Sequence, residues 1–286
     1  MHRLNDGISK MKIQKPSNKT YKDKSSSKLQ IFDKFATYYD QIYHDKNYEQ
    51  ECNFIISVLR KFGKSNVKNI LDLGCGTGGH TLILTKSSYS VTGLDMSNIA
   101  LQLASRKSQR LKLNCEFVKG NMSNFNLGKK FDACISMFCS FCYLTKATEY
   151  KKTLRCILNH LNPGGLLIFD FWNGNAVVNE KPSTKVKIVK IGRRRIIRIA
   201  TPTIDYSKQI CTIAYHCIVI ENDKIIDEFQ ENHNIKYHFP EDLSNYLNDA
   251  GFEIVKIIPM VGSSRKSRNN TYLNEWYLFA IARKKR

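Results

Sequence analysis

Residues Ile70–Thr81 read ILDLGCGTGGHT, an apolar run that breaks at Gly74, Gly76 and Gly78 with Cys75 among them. Glycine inside a strand costs stability, so this cluster marks a sharp bend or a close approach to a ligand. Asp72 sits just before the loop, where it can anchor the turn or reach a cationic group. Asp95 ends the next apolar run, VTGLDMS. A carboxylate at a strand tip beside such a loop can accept from two ribose hydroxyls, and Met96 next to it can pack on a purine face. Asn121 and Met122, in GNM, end a third run. The amide can meet a purine amino group, and the methionine can line the same pocket. The loop is GxGxG with an acidic residue inside the strand, not the GxGxxG register of the dinucleotide folds.

These residues need a sheet that ends them in one place. Residues 31–62 read as two helices, the second with Phe54, Ile55, Ile56, Val58 and Leu59 on its packed face and Gly63 as its stop. Strands and helices then alternate: strand 67–74, helix from Gly79, strand 90–95, helix capped by Ser97, strand 114–120, strand FDACISMF, helix 147–161 stopped by NPGG, strand LLIFDF. Such alternation predicts a mostly parallel sheet covered on both faces, with ligands beyond the carboxyl ends of its strands. From 184 to 238 the helical period is lost, and four strands follow in hairpin order, with turns at Gly192 and 221–223. A helix over 240–251 and two closing strands end the chain, paired antiparallel across the polar loop VGSSRKSRNNTYLNE. The expected fold is a Rossmann-like, seven-stranded, mostly parallel α/β sheet with an antiparallel β insertion after the fifth strand. Its expected parts are a disordered basic tail (1–30), the main domain (31–180 and 239–286) and the insertion (181–238).

Whole-chain properties narrow the classes. The 286 residues, 42% hydrophobic, suffice for one large domain with an insertion. Mean hydropathy is −0.38 and no apolar run reaches membrane-spanning length, so no span is expected. The Lys- and Ser-rich start has no apolar stretch of the kind that directs secretion. The nine cysteines lack the second Cys or Cys/His pair of a zinc site and form no regular disulfide framework. No metal and a reducing, cytoplasmic setting are therefore expected. A net charge of +20 favours anionic partners: nucleic acid, nucleotide-linked substrates or an acidic surface.

Taken together, LDLGCGTG, Asp95 and GNM resemble the class I S-adenosylmethionine-dependent methyltransferases, over about 31–180 and 239–286. The resemblance implies S-adenosyl-L-methionine as cofactor, held by Asp72, Gly74, Cys75, Gly76, Asp95, Met96, Asn121, Met122 and Met137. Asn121 departs from the family, which usually carries Asp there, so an adenine contact rests on the amide oxygen. Within the family, FATYYDQIYHDKNYEQE, MFCSFCYL, FDFWNGNAV and the antiparallel insertion are most similar to N-methyltransferases of nucleotide-linked amino sugars, and more distantly to glycine N-methyltransferase. That implies Tyr39 as a lid tyrosine at the methyl donor, with Tyr38 and Tyr43 competing for the role. It also implies that Lys46 and Tyr48 close over the methionine end, and that Tyr143 and Trp172 face the acceptor.

The acceptor is less legible. CSF at 139–141 offers no histidine where several relatives carry one. An amine needs mainly positioning, worth up to ~7–11 kcal/mol, whereas a hydroxyl needs a dedicated base. Lack of an evident base leans to nitrogen. His233 and His238 are the candidate catalytic histidines, on opposite faces of one strand. Arg193 and Arg195, in the run 193–195, suit a pyrophosphate. N-methylation of a nucleoside-diphosphate-linked amino sugar is therefore expected, with the insertion as a lid that also pairs subunits into a homo-oligomer. RNA cap or ribose methylation, O-methylation of a small molecule or sugar, and a non-enzymatic cofactor-binding scaffold stay open as alternatives.

Overall fold

A computed structural model describes residues 32–259 and 275–285. The tail expected over 1–30 and nearly all of the loop 261–275 lie outside the described residues. Two amphipathic helices lead, α1 (Asp33–Ile42) and α2 (Tyr48–Phe62). The alternating core follows as β1 (Asn69–Leu73), α3 (Gly79–Lys86), β2 (Ser90–Asp95), α4 (Asn98–Arg110), β3 (Glu116–Lys119), β4 (Phe131–Ser136), α5 (Ala147–His160) and β5 (Leu161–Trp172). Ser97 caps α4 as its type predicts, its Oγ accepting from the Ala100 amide at 3.2 Å. A short helix that the sequence reading missed, α6 (Gly174–Glu180), comes next, with the Asn173 side chain accepting from the Asn175 amide at its start.

The insertion is a four-stranded antiparallel sheet: β6 (Lys185–Ile191), β7 (Arg194–Asp205), β8 (Ile210–Glu221) and β9 (Lys224–Lys236), in that order. Asn222 and Asp223 both take positive φ at the β8–β9 turn, the geometry a two-residue hairpin demands. Helix α7 (Pro240–Asp249) and strands β10 (Phe252–Pro259) and β11 (Tyr277–Lys284) close the main sheet. That sheet has seven strands in the order β10-β11-β5-β4-β1-β2-β3, with β11 antiparallel to both neighbours and the other core pairs parallel. The helix over 147–161 stops ahead of NPGG as expected, and β5 begins earlier than LLIFDF, at Leu161, which pairs with Phe131 across an irregular register.

The sheet core is dry. Ile70, Leu71, Ala133, Cys134, Ile135, Leu167, Ile168 and Phe169 are fully buried, as expected for strands covered on both faces. Helix α1 ties the two halves of the molecule together. On the core side Asp33 accepts from Ser97 Oγ (2.8 Å) and Asp40 from Thr77 Oγ1 (2.5 Å). On the insertion side Tyr38 donates to Asp227 (2.7 Å) and the Phe35 amide donates to Glu231 (3.0 Å). The second set takes Tyr38 out of the competition among these tyrosines and leaves Tyr39 and Tyr43 in it. Tyr38 turns to the insertion and stacks on Phe229 (5.8 Å), while Tyr39 and Tyr43 face inward.

Candidate functional site

The carboxyl ends of β1, β2, β3, β4 and β5 open on one cavity of about 350 Å³. Gly74, Cys75 and Gly76 form its floor; Asp95, Met96, Asn121 and Met122 wall one side, and Met137 and Tyr143 the other. Gly74 (φ +79°) and Gly76 (φ +53°) hold a backbone region costly to side-chain-bearing residues. A Cβ on Gly74 would lie 2.7 Å from the Ser140 side chain, whereas one on Gly76 would meet nothing within 4 Å. The loop is thus packed behind and open in front, so a ligand can lie against the Gly76 main chain.

Asp95 organises that loop. Its Oδ2 accepts from the Gly76 amide (2.8 Å) and its Oδ1 from the Ser97 amide (2.9 Å). A carboxylate has about four lone-pair sites, so capacity remains to accept from a ribose hydroxyl. Burial pushes the carboxyl above its ordinary range, while the Ser97, Gly76 and Met96 amides pull it back. Asn121 is spent differently from the expectation. Its Oδ1 accepts from both the amide (2.9 Å) and the hydroxyl (2.8 Å) of Ser123, so the side-chain NH₂ is what it has left to offer a purine.

Four further expectations are corrected by position. Asp72 does not line the cavity; it is 1% exposed and accepts from Thr81 Oγ1 at 2.6 Å, bracing α3 from below the loop. Lys46 is also absent from the lining. Its ammonium is held in an ion pair with Glu51 and lies 4.1 Å from the Phe138 ring centre, and Glu51 also meets His80 Nε2 at 2.6 Å. Tyr48 and His80 line the cavity in its stead. Arg193 and Arg195 are exposed at the start of β7, away from the cavity, because alternation along the strand turns Arg195 to the outer face. His238 is buried against the rings of Tyr150 (5.3 Å) and Phe171 (6.4 Å), outside the lining.

The other half of the cavity is aromatic. Phe32, Phe35 and Tyr39 come from α1 or its start, Tyr43 from its end, Phe138 and Tyr143 from the segment after β4, Trp172 from β5, Tyr215 from β8 and Tyr277 from β11. Tyr39 and Tyr43 meet at 4.8 Å, and Tyr43 and Phe138 at 5.0 Å. Burial raises the Tyr39 and Tyr143 phenols well above their ordinary range, so both stay protonated donors. Among the described residues no lysine or arginine lines the cavity; Arg198 lies behind the wall, over Tyr43 (5.6 Å) and Tyr215 (5.5 Å). His233 enters from β9, with Nδ1 2.6 Å from the Tyr143 hydroxyl and Nε2 3.1 Å from Glu231. The sequence reading missed Glu231 and the other aromatic contributors, although period-two spacing already put Glu231 and His233 on one face.

All nine cysteines are free. Among the described residues no cluster of metal-ligating side chains occurs and no helix is long and apolar enough to cross a membrane.

Residues 70–165 match the family model of the methyltransferase domain. A protein of Geobacillus sp. (strain WCH70), named only as a methyltransferase, is 34% identical over 140 residues, 49% of this chain and 56% of that one. The dTDP-3-amino-3,4,6-trideoxy-alpha-D-glucopyranose N,N-dimethyltransferase of Streptomyces venezuelae is 32% identical over 139 residues, 48% of this chain and 56% of its own. The chain thus spans little more than half the length of these two relatives. Among solved structures, a sugar N-methyltransferase of Streptoalloteichus sp. ATCC 53650 aligns with a TM-score of 0.72 at 20% identity, over 97% of this chain and 100% of that one. The described residues therefore have the class I methyltransferase fold, and residues 70–165 match a methyltransferase domain model.

Proposed function

We propose that this chain is an S-adenosylmethionine-dependent methyltransferase acting on the nitrogen of a small amine, with a nucleoside-diphosphate-linked amino sugar as the acceptor class. The observation that carries this is the two-part cavity: an open glycine loop beside Asp95 and Met122, continuous with an aromatic chamber roofed by α1 and the insertion. The open face of Gly76 and the free lone pairs of Asp95 fit the cofactor. When bound, the cofactor would supply an activated methyl group for the acceptor nitrogen, with its sulfur as the leaving group. The chain's own part is to hold the amine in line and exclude water, which α1 and the aromatic wall are placed to do. The printed activity of the Streptomyces venezuelae relative supports an amino sugar carried on a nucleotide.

The lining favours a small acceptor over RNA, since phosphate backbones are held chiefly by lysine and arginine. It also bears on the sugar nucleotide, which would enter sugar first and keep its diphosphate at the mouth. The test is incubation of the full chain with methyl-labelled cofactor and three acceptor sets: nucleotide-linked amino sugars, their hydroxy analogues, and total RNA. Label is expected in an amino sugar. Label in RNA alone would end this reading, and label in a hydroxy sugar but not its amine would move the chemistry to oxygen.

The same proposal includes self-association through the insertion. Val186, Ile188, Ile197, Ile199, Ile218 and Ile220 share the face turned away from the cavity, with Val186 61% and Ile188 58% exposed. Exposed apolar faces of this kind mark interaction sites. Light scattering is expected to give a dimer or larger species that the double substitution Ile188→Lys, Ile197→Lys dissociates. A wild-type monomer at high concentration would remove this role.

A further inference from the structure

Tyr143, Glu231 and His233 form a hydrogen-bonded chain that begins at the acceptor chamber and ends on a backbone amide. The Tyr143 hydroxyl is 2.6 Å from His233 Nδ1, His233 Nε2 is 3.1 Å from Glu231 Oε2, and Glu231 Oε1 accepts from the Phe35 amide at 3.0 Å. The His233 and Glu231 side chains are 3% and 6% exposed. Glu231 and His233 are neighbours on one face of β9, while Tyr143 comes from the short 3₁₀ turn Ser140–Tyr143 after β4. The Ser140 hydroxyl in that turn lies 3.0 Å from the Met137 carbonyl and 3.2 Å from the Gly74 carbonyl, so the turn sits beside the glycine loop.

The hydrogen positions follow from the partners. An ionised carboxylate only accepts, so His233 Nε2 carries the hydrogen and Nδ1 is the acceptor. Tyr143 then donates to Nδ1, and the lone pairs of its oxygen are free for a group in the chamber. We propose that this chain takes the proton from the acceptor, with Tyr143 touching the acceptor, His233 holding the proton, and Glu231 positioning the ring. The proposal rests on the methyl-transfer reading above. The proton on the acceptor's nucleophilic atom moves to the Tyr143 oxygen as the phenol's own proton moves to His233 Nδ1. The lone pair left behind is the one that forms the bond to the methyl carbon. The end state is an imidazolium beside the Glu231 carboxylate, held there by the Phe35 amide.

The surroundings of His233 suit that end state. From α1 and its start it meets the Phe35 and Phe32 rings, each at 5.6 Å, and from β8 the Tyr215 ring at 4.8 Å. Tyr143 and Glu231 complete the set of titratable groups that face it, and Arg198 lies over Tyr215 at 5.5 Å. A carboxylate is thus the charged partner within hydrogen-bond reach. The base absent from CSF at 139–141 is supplied from the insertion, on a strand 90 residues beyond Tyr143.

Two readouts test this. In ¹⁵N-histidine-labelled protein without acceptor or cofactor, NMR is expected to show His233 as the Nε2–H tautomer, with its Nδ1 resonance displaced in Tyr143→Phe. In kinetics, His233→Gln is expected to lose about 10²–10⁴-fold in kcat at neutral pH, the span of general acid–base catalysis, with cofactor affinity unchanged. Its rate should rise about tenfold per pH unit as the amine loses its own proton, more steeply than that of the wild type. Tyr143→Phe, which keeps the ring, should give the same pH dependence if His233→Gln folds poorly. An Nδ1–H tautomer, or a variant profile parallel to the wild type, overturns the relay even where turnover holds. A wild type with the expected tautomer and no turnover on any acceptor overturns the methyl-transfer reading, and the relay with it.

Discussion

Asp95→Ala is expected to weaken S-adenosylmethionine binding by roughly 1.5–3 kcal/mol, about ten- to hundred-fold, the scale of hydrogen bonds to a charged group. Two losses combine. The ribose hydroxyls lose their acceptor, and the Gly76 and Ser97 amides lose theirs. The second loss also loosens the loop itself, so a drop of about 1–3 kcal/mol in unfolding free energy should accompany it. Asp95→Asn should fall between, because its one amide oxygen can still accept while its NH₂ cannot. Calorimetry with the cofactor and with its demethylated product, on variants whose unfolding is measured in parallel, checks this. Affinity equal to wild type in both variants would remove Asp95 from the cofactor site and leave it a loop brace.

The second large effect is on acid stability. His238 is 2% exposed, neither ring nitrogen has a hydrogen-bond partner among the described residues, and burial, helped by Lys236, pushes its pKa down to about 3. An unfolded histidine titrates near ~6.5. Between those values the unfolded chain holds a proton that the folded chain refuses. Stability from this group is therefore complete above ~6.5 and lost as pH falls toward the folded value, at up to about 1.4 kcal/mol per unit. Asp170 runs the other way. Burial lifts its carboxyl to about 6, so its share is present below the ordinary carboxylate range and is lost as pH rises through 6. In the wild type the two slopes oppose one another between ~4 and ~6. His238→Leu removes one of them. Urea unfolding at a series of pH values should show the variant gaining on the wild type by roughly 3 kcal/mol between pH 7 and pH 4. Curves that stay a constant distance apart would mean that folded His238 takes up its proton normally.

His238 also illustrates the boundary between what local pattern specifies and what tertiary packing decides. Period-two alternation in the sequence puts it on the face opposite His233, as a residue of the same strand. Strand β9 ends at Lys236, however, and the His238 amide and carbonyl then bond to Trp172 and Gly174. The chain has left the insertion and joined the carboxyl end of β5 in the main sheet, so the histidine is buried against Tyr150 and Phe171. The glycine loop, the Asp95 strand tip, the Ser97 cap and the hairpin order of 184–238 depend on residue type and local spacing. Backbone freedom, capping chemistry and alternation act within a few residues, so they can be read along a single chain.

The acceptor half of the cavity depends on approach between distant segments. Lys46 was expected at the cofactor, but its ammonium found Glu51 and the Phe138 ring once α2 docked beside the loop. Tyr39 became an inward residue and Tyr38 an outward one because Asp227, 189 positions along, claims the Tyr38 hydroxyl. Arg193 and Arg195, the densest charge in the sequence, fall where β7 begins and turn to solvent. The Tyr143–His233–Glu231 chain needs the turn after β4, the last insertion strand and the Phe35 amide of α1 to meet within hydrogen-bond distance. The sequence by itself determined the sheet, its loop and the strand tips that open on the cavity. Only the docking of α1 and the insertion decided which side chains line its aromatic half, because hydrogen-bond geometry between remote segments is set by packing and leaves no periodic trace.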